Sequence, residues 1–376
     1  MKFSVILSEI NRQLQEITGI AGVSPNKEDI TQNIYFAVKD NVLILKSTDY
    51  SIELIARIPL QYVDSEGEII VNGAKLREVL KNIDSNSSVS FDYDDINQKM
   101  QISADNTKFE IRVREACDFP VFESDEISHR VTVKQGILRS LLDKSLFCVA
   151  SDDFRDYLRG VRLELDGSTL SVFTSDGHRM AILETQIDGV VSEPYGVLLT
   201  RRCALELTKI LEHDSQTDIE LSFSKNSLKT NCNGYLLSSK LIVCGYPNVR
   251  SVIPKEIVTQ IRLPRQAFCS FIKRVSVLSS RRISGITFNF SNNNVEMRCE
   301  NSEHEIATAN MGLEYTGAPI EISLNSNYII EILNIIDSDD VLFNFSNPIN
   351  GVMIVPDENA FKIGIKYSYI VSKVVV

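Results

Sequence analysis

The 376-residue sequence predicts a strand-dominated α+β fold made of three tandem copies of a doubled unit, each copy placing two helices on antiparallel sheet. Three observations lead there. A short alternating strand followed by an amphipathic helix starts three times, at Phe3-Ser-Val, Val131-Thr-Val and Ile261-Arg-Leu, about 130 residues apart. Alternating strands follow each helix, and within each copy the order strand, helix, strands then repeats. The expected domains are 1–125, 126–254 and 255–376.

The first helix of each copy is read from apolar residues at i, i+3, i+4 and i+7. The sets are Leu7, Ile10, Leu14 and Ile17; Leu138, Leu141, Leu142, Ser145 and Val149; and Phe268, Phe271, Ile272, Val275 and Leu278. Hairpins are expected next: Ile34 to Val38 with Val42 to Leu45, Val161 to Leu165 with Thr169 to Val172, and Ile286 to Phe290 with Val295 to Arg298. Their turns, Lys39-Asp-Asn, Asp166-Gly-Ser and Ser291-Asn-Asn-Asn, carry residues that tolerate turn geometry. The second half of each copy repeats the pattern: Glu68-Ile-Ile-Val before Leu76, Val79, Leu80 and Ile83; Gly196-Val-Leu-Leu before Leu207 and Leu211; Ile320-Glu-Ile-Ser before Ile329, Ile332, Leu333 and Ile336. The apolar stripes of both helices have only the sheet to cover, so their opposite faces stay exposed.

Composition narrows the function classes. Hydrophobic residues at 43% and charged residues at 24%, with 10 Pro and 17 Gly, describe a folded chain throughout. The seven cysteines are odd in number, scattered and free of any CxxC pair, which reads as reduced thiols in a cytoplasm. Glu9 interrupts the short apolar stretch at the N-terminus and no later run reaches membrane-spanning length, so neither export nor insertion is expected. A net charge of -11 argues against a protein that grips nucleic acid with its whole surface, while leaving room for a local basic lining.

Such a lining has candidates. Lys75, Arg77 and Lys81 lie on or before the second helix, Arg201, Arg202 and Lys209 on the fourth, and Lys273, Arg274, Arg281 and Arg282 in or after the fifth. Acidic residues gather instead in strands and loops, as in Asp64, Glu66, Glu68, Asp92, Asp94 and Asp95. A curved array with basic helix faces on one side could pass a polyanion without base-specific contacts; the same residues also read as ordinary solvated helix faces.

Signs of catalysis are weak. Ser175, Asp176 and His178 are the residue types of a hydrolase triad, but neighbours in one tight turn cannot aim a nucleophile, a base and an orienter at one another. His129, His178, His213 and His304 are isolated from metal-ligand patterns, and Gly19 and Gly22 lack nucleotide-loop spacing. No metal, cofactor or catalytic residue is expected. Tyr157 reads equally as a core tyrosine or as a groove wall, and Arg155 as a brace for that corner.

The segment Phe173-Thr-Ser-Asp-Gly-His-Arg-Met-Ala181, after Phe154-Arg-Asp-Tyr-Leu-Arg-Gly160, resembles the central signature of the bacterial DNA sliding clamps, the beta subunits of DNA polymerase III holoenzyme. Ser47-Thr-Asp-Tyr-Ser-Ile-Glu53, Asp118-Phe-Pro120, Gly245-Tyr-Pro247 and Val252-Ile-Pro254 support it, so the resemblance spans the chain. It implies a non-enzymatic processivity factor: a head-to-tail homodimer closed into a ring around duplex DNA without sequence preference, loaded by a separate ATP-driven clamp loader. A heterologous contact that closes is the geometry of a ring.

The resemblance also implies three sets of site residues. The peptide groove, serving polymerase, clamp loader and repair factors in turn, would use Leu158, Ser175, Gly177, His178, Arg179, Met180, Pro247, Val252, Ile349, Ile370 and Val371. The dimer interface would pair Lys75, Lys108, Phe109 and Ile111 with Val277, Leu278, Glu303 and Glu305 of a second chain. The DNA-facing set is Lys75, Arg77, Arg201, Arg202, Lys273 and Arg274. The chain departs from the family pattern at Ser251, at Ser24 and in the tail Ser372-Lys-Val-Val-Val376. The rival readings are a peptide-binding scaffold that never encloses DNA, and an enzyme built around the Asp176 to Arg179 turn.

Overall fold

The strand Lys2–Ile6 leads into helix α1, Leu7–Ile20, whose Leu7, Ile10, Leu14 and Ile17 are buried as the spacing requires. This is a computed structural model, and it describes residues 1–21, 29–123, 125–279, 284–357 and 364–375, so Ser24, Arg281 and Arg282 lie outside the described residues. The remaining helices are α2 Gly73–Lys81, α3 Gln135–Asp143, α4 Arg201–Ile210, α5 Arg265–Val275 and α6 Ser326–Ile335. Asparagine side chains cap two of them: Asn72 accepts from the Lys75 amide at 3.0 Å, and Asn325 from the Asn327 amide at 3.0 Å.

Two helical stretches end before their apolar periodicity does. α3 stops at Asp143, and Ser145 and Val149 fall outside it, around a 3-10 turn at Leu146–Cys148. The Ser145 hydroxyl donates to the Leu142 carbonyl at 3.3 Å, a side-chain bond that competes with helix continuation. Leu278 likewise belongs to a 3-10 turn, Ser276–Leu278, rather than to α5.

The chain divides into two compact units, Met1–Gly136 with Glu206–Leu241, and Ile137–Leu205 with Ile242–Val376. This division follows strand pairing and cuts across the three-copy reading, because strands of the middle copy join different sheets. In the first unit a 13-stranded antiparallel sheet runs, among the described residues, from His129–Lys134 at one edge to Tyr62–Ser65 at the other. Its join is the ladder from Tyr235 opposite Ala56 to Ser239 opposite Ile52. Phe3, Phe36 and Phe91 fill the core, with the Phe3 and Phe91 rings stacked at 4.8 Å. The hairpin Asn33–Lys39 with Val42–Thr48 turns through Asp40 and Asn41 at φ 51 and 58, the left-handed pair a tight hairpin demands.

The second unit holds a six-stranded and a four-stranded sheet. The first runs Gly160–Ser175, Arg179–Thr200, Ile365–Ser372, Gly351–Pro356, Asp340–Phe345, Thr259–Pro264; the second runs Ile306–Gly312, Asn294–Glu300, Gly285–Ser291, Ile320–Asn325. Phe268 of α5 packs edge-on against Phe343 of the six-stranded sheet at 5.3 Å, and its ring lies tilted to Phe288 of the four-stranded sheet at 5.8 Å. The arms expected as a hairpin at Val161 to Val172 lie within one strand, where Gly167 takes φ 58 and the register shifts on either side of it. Both arms pair with Arg179–Thr200, Val161 opposite Leu199 and Val172 opposite Leu183.

Candidate functional site

The site begins at the turn Ser175 to Arg179. Gly177 has φ 89, a conformation that favours glycine, and the Arg155 guanidinium lies 2.8 Å from where a Cβ would stand. The Ser175 hydroxyl donates to the Arg179 carbonyl at 2.7 Å and accepts from the Gly177 amide at 3.0 Å. Asp176 accepts from the His178 and Arg179 amides at 2.9 and 3.0 Å and from Arg179 Nε at 3.0 Å. Both side chains bond to backbone and hold the turn, while the His178 ring stacks on Tyr328 at 6.5 Å. Arg155 is a brace, forked onto Asp153 at 2.9 and 3.0 Å; that hydrogen bonding holds the Asp153 carboxyl down at about 2.

Beyond the turn, strand alternation sorts the neighbours. Arg179 stands opposite Val371 and Met180 opposite Ile370, so the two pairs point to opposite faces. Met180 and Ile370 enter an apolar cluster with Phe173, Ile182 and Val249, against which Tyr246, Ile253 and Met353 pack. Beside it opens a hollow of about 490 Å³ lined on its apolar side by Val252, Ile253, Pro348, Met353 and Ile370, and elsewhere by Lys255, Glu256, Asn347, Asn350 and serines that include Ser251 and Ser372. A mixed polar and apolar concavity, next to an apolar cluster with a flexible methionine, suits an extended peptide whose backbone finds polar partners and whose Leu or Phe anchors find apolar ones.

Arg179 and Val371 serve the other face. Val371 is fully buried, and the Arg179 guanidinium reaches Glu331 on α6, donates to the Phe147 carbonyl at 2.7 Å and lies 4.4 Å from the Tyr328 ring. These two lie on the strand face opposite the cluster. Leu158 is buried outside the cluster in the 3-10 turn Asp156–Leu158. Pro247 is exposed on the loop before Val249, and Ile349 is half-buried between the lining residues Pro348 and Asn350. Tyr157 meets Tyr246 edge-on at 6.3 Å, which places it beside the cluster.

Phe173, Ile182, Val249, Tyr246, Ile253 and Met353 complete this face, and none of them is among the residues expected there from the sequence. Alternation from Met180 points to Ile182. Met353 is found only through its pairing with Ile370, a register the sequence does not display.

The expected ring surfaces fall on two sheet edges. In the first unit, strand Thr107–Arg114 pairs on one side along its length, but on the other only through Val113 and Arg114. Among the described residues this leaves Thr107 to Arg112 an open edge, carrying exposed Lys108 and half-buried Phe109 and Ile111. In the second unit, Ile306–Gly312 is an edge strand of the four-stranded sheet. Near it in sequence are exposed Glu303 and Glu305, and Leu278 is half-buried while Val277 is 79% exposed. The first edge carries Lys108 and Arg112 around Glu110, and Glu303 and Glu305 precede the second, each edge with apolar side chains.

Lys75 and Arg77 are exposed on α2, Lys273 and Arg274 on α5, and Arg201 at the start of α4, with Arg202 half-buried beside it. Among the described residues no three His, Cys, Asp or Glu side chains gather as a metal ion would require.

Three family models match the chain in succession: the N-terminal domain of the DNA polymerase III beta subunit over residues 1–123, its central domain over 132–248 and its C-terminal domain over 250–367. The beta sliding clamp of Vibrio cholerae is 29% identical over 366 residues, covering 96% of this chain and 98% of that one. That of Escherichia coli K12 is 25% identical over 358 residues, covering 94% and 95%. The crystal structure of the DNA polymerase III subunit beta from Pseudomonas aeruginosa superposes with a TM-score of 0.92 over 100% of both chains at 25% identity. The chain therefore belongs to the DNA polymerase III beta subunit family, the bacterial beta sliding clamps.

Proposed function

We infer that the chain is the processivity clamp of a bacterial DNA polymerase III, a homodimeric ring that encircles duplex DNA and tethers the polymerase and other replication and repair proteins. It is not a catalyst: the one turn with hydrolase residue types uses Ser175 and Asp176 to hold its own backbone. The observation that carries the reading is the antiparallel join of Arg179–Thr200 with Ile365–Ser372, which gathers Met180 and Ile370 into an apolar cluster beside an open hollow. Encirclement removes the need for tight DNA contacts; weak, sequence-independent phosphate attraction permits sliding.

The residue roles follow from this reading. Met180, Val252 and Ile370 line the peptide groove, Ser175, Gly177 and His178 shape its end, and Leu158, Pro247, Ile349, Arg179 and Val371 support it. Phe109, Ile111 and Lys108 meet Val277, Leu278, Glu303 and Glu305 of a second chain by edge-strand pairing. Lys75, Arg77, Arg201, Arg202, Lys273 and Arg274 face the DNA. Three domains, 1–125, 126–254 and 255–376, serve as the repeating parts of the ring. The protein works in the cytoplasm, with its cysteines reduced.

The test is to load the protein onto nicked circular DNA with a clamp loader and ATP, linearise the DNA, and separate free from bound protein by gel filtration. Loss of bound protein on linearisation is the expected outcome. Retention unaffected by cutting would favour a peptide-binding scaffold that does not enclose DNA.

A further inference from the structure

The turn that shapes the end of the groove has a counterpart in the first unit. Thr48 Oγ1 donates to the Ile52 carbonyl at 2.8 Å and accepts from the Tyr50 amide at 3.1 Å, and Asp49 accepts from the Ser51 and Ile52 amides at 2.9 Å each. Bond for bond, these are the contacts that Ser175 and Asp176 make in their own turn. The Lys240 amide donates to the Ser51 carbonyl at 2.8 Å, as the Ser372 amide does to the His178 carbonyl at 2.9 Å. The ladders agree: Ile52 and Glu53 lie opposite Ser239 and Ser238, as Arg179 and Met180 lie opposite Val371 and Ile370. Ser372 lines the hollow of the groove, and its counterpart Lys240 lines a cavity of about 570 Å³ together with Tyr50 and the wall Pro120, Val121 and Phe122.

We propose that this cavity is a second peptide site, which takes an extended segment of a partner protein in which an arginine stands beside an apolar residue. The proposal rests on the peptide-groove reading, because it reuses the frame of that groove. The lining differs. Where the groove floor has Met180 and Ile370, the first unit has Glu53 and Ser238, both buried, and Glu53 is ion-paired with Lys46 at 3.0 Å. Such a polar floor gives a Leu or Phe anchor no apolar partner. Where the turn of the groove has Gly177, the first unit presents Tyr50, 54% exposed and held at φ 68. That backbone is strained for a bulky side chain, and strain of this kind concentrates at sites of function. The cavity sets the carboxylates of Glu123 and Asp125 against the one ammonium of Lys240. A guanidinium can lie on an aromatic face while it bonds to a carboxylate, which an ammonium does less well, so an arginine fits Tyr50 and Glu123 together. Val121, 79% exposed, and its neighbours in the wall offer the adjoining apolar residue a surface.

The chain contains no tryptophan, so Tyr50→Trp places one reporter at the cavity of the full-length protein and keeps an aromatic face there. The probes are short peptides of glycine and serine with a central Arg-Leu, Gln-Leu or Leu-Phe pair. The Arg-Leu peptide is expected to shift the tryptophan emission saturably, and the Gln-Leu peptide to need a concentration about ten-fold higher. Glu123→Gln in the same background should weaken the Arg-Leu peptide about three-fold. A Met180→Lys change should leave this shift in place while it removes binding of a labelled Leu-Phe peptide, read by polarisation. An emission that does not move with the Arg-Leu peptide, or that responds equally to the Gln-Leu peptide, would overturn the proposal. Binding of the Leu-Phe peptide that is lost in Met180→Lys would in that case keep the groove reading intact, since that assay does not depend on Tyr50.

Discussion

Met180 and Ile370 face one another across the ladder joining Arg179–Thr200 to Ile365–Ser372, although 190 residues of sequence separate them, and both are more than nine-tenths buried in one apolar cluster. The groove floor thus exists only when the last strand is in place.

Met180→Lys puts a charge into that floor. Partner peptides with Leu or Phe anchors should bind about 30-fold more weakly, a loss of about 2 kcal/mol typical of a central contact residue. Fluorescence polarisation with a labelled peptide measures this, and sedimentation should show the dimer unchanged.

Phe109→Asp and Leu278→Asp each place a carboxylate among the half-buried apolar residues of the two edges. Either change should convert the dimer to monomer at micromolar concentration in sedimentation velocity. An undisturbed dimer in both would mean the chains join elsewhere.

Arg179→Ala leaves Asp176, Glu331 and the Phe147 carbonyl without their shared donor. The cost should be about 2–3 kcal/mol, read as a lower urea midpoint. Lysine should not rescue it, because an ammonium cannot fork to two carboxylates while lying over the Tyr328 ring.

Glu16 on α1 has its carboxyl raised from the ordinary 4.5, first by burial and then by nearby Glu206, with Lys209 and Arg12 opposing. A raised acid is held more tightly by the folded state, so its contribution is full below the ordinary carboxyl range and is lost as pH rises through the raised value. Glu16→Gln should therefore raise the urea midpoint at neutral pH and leave it unchanged in acid.

Much of this fold is legible in the sequence because helix and strand periods survive packing. The sets Leu7, Ile10, Leu14, Ile17 and Ile329, Ile332, Leu333 are buried as their spacing predicts. What the sequence does not display is register: nothing local says that Tyr235 lies opposite Ala56 or that Ile370 lies opposite Met180 and Met353. For the same reason the resemblance, which carries residues and not faces, groups Val371 with Ile370, although one step along the strand turns it to the opposite face. Ser145 shows the other limit, where a single side-chain hydrogen bond ends a helix that its apolar period would extend.

The ladder between Tyr235–Lys240 and Ile52–Pro59 also bears on how this protein can be taken apart. A fragment ending near residue 123 would keep Ile52–Pro59 but lose its partner, baring the backbone of a strand whose Ile52, Leu54, Ala56 and Ile58 are all buried in the intact chain. Such an exposed, apolar edge recruits other copies. The N-terminal third should aggregate when expressed alone, and because each unit is assembled from two separate stretches of sequence, no single truncation isolates either one intact.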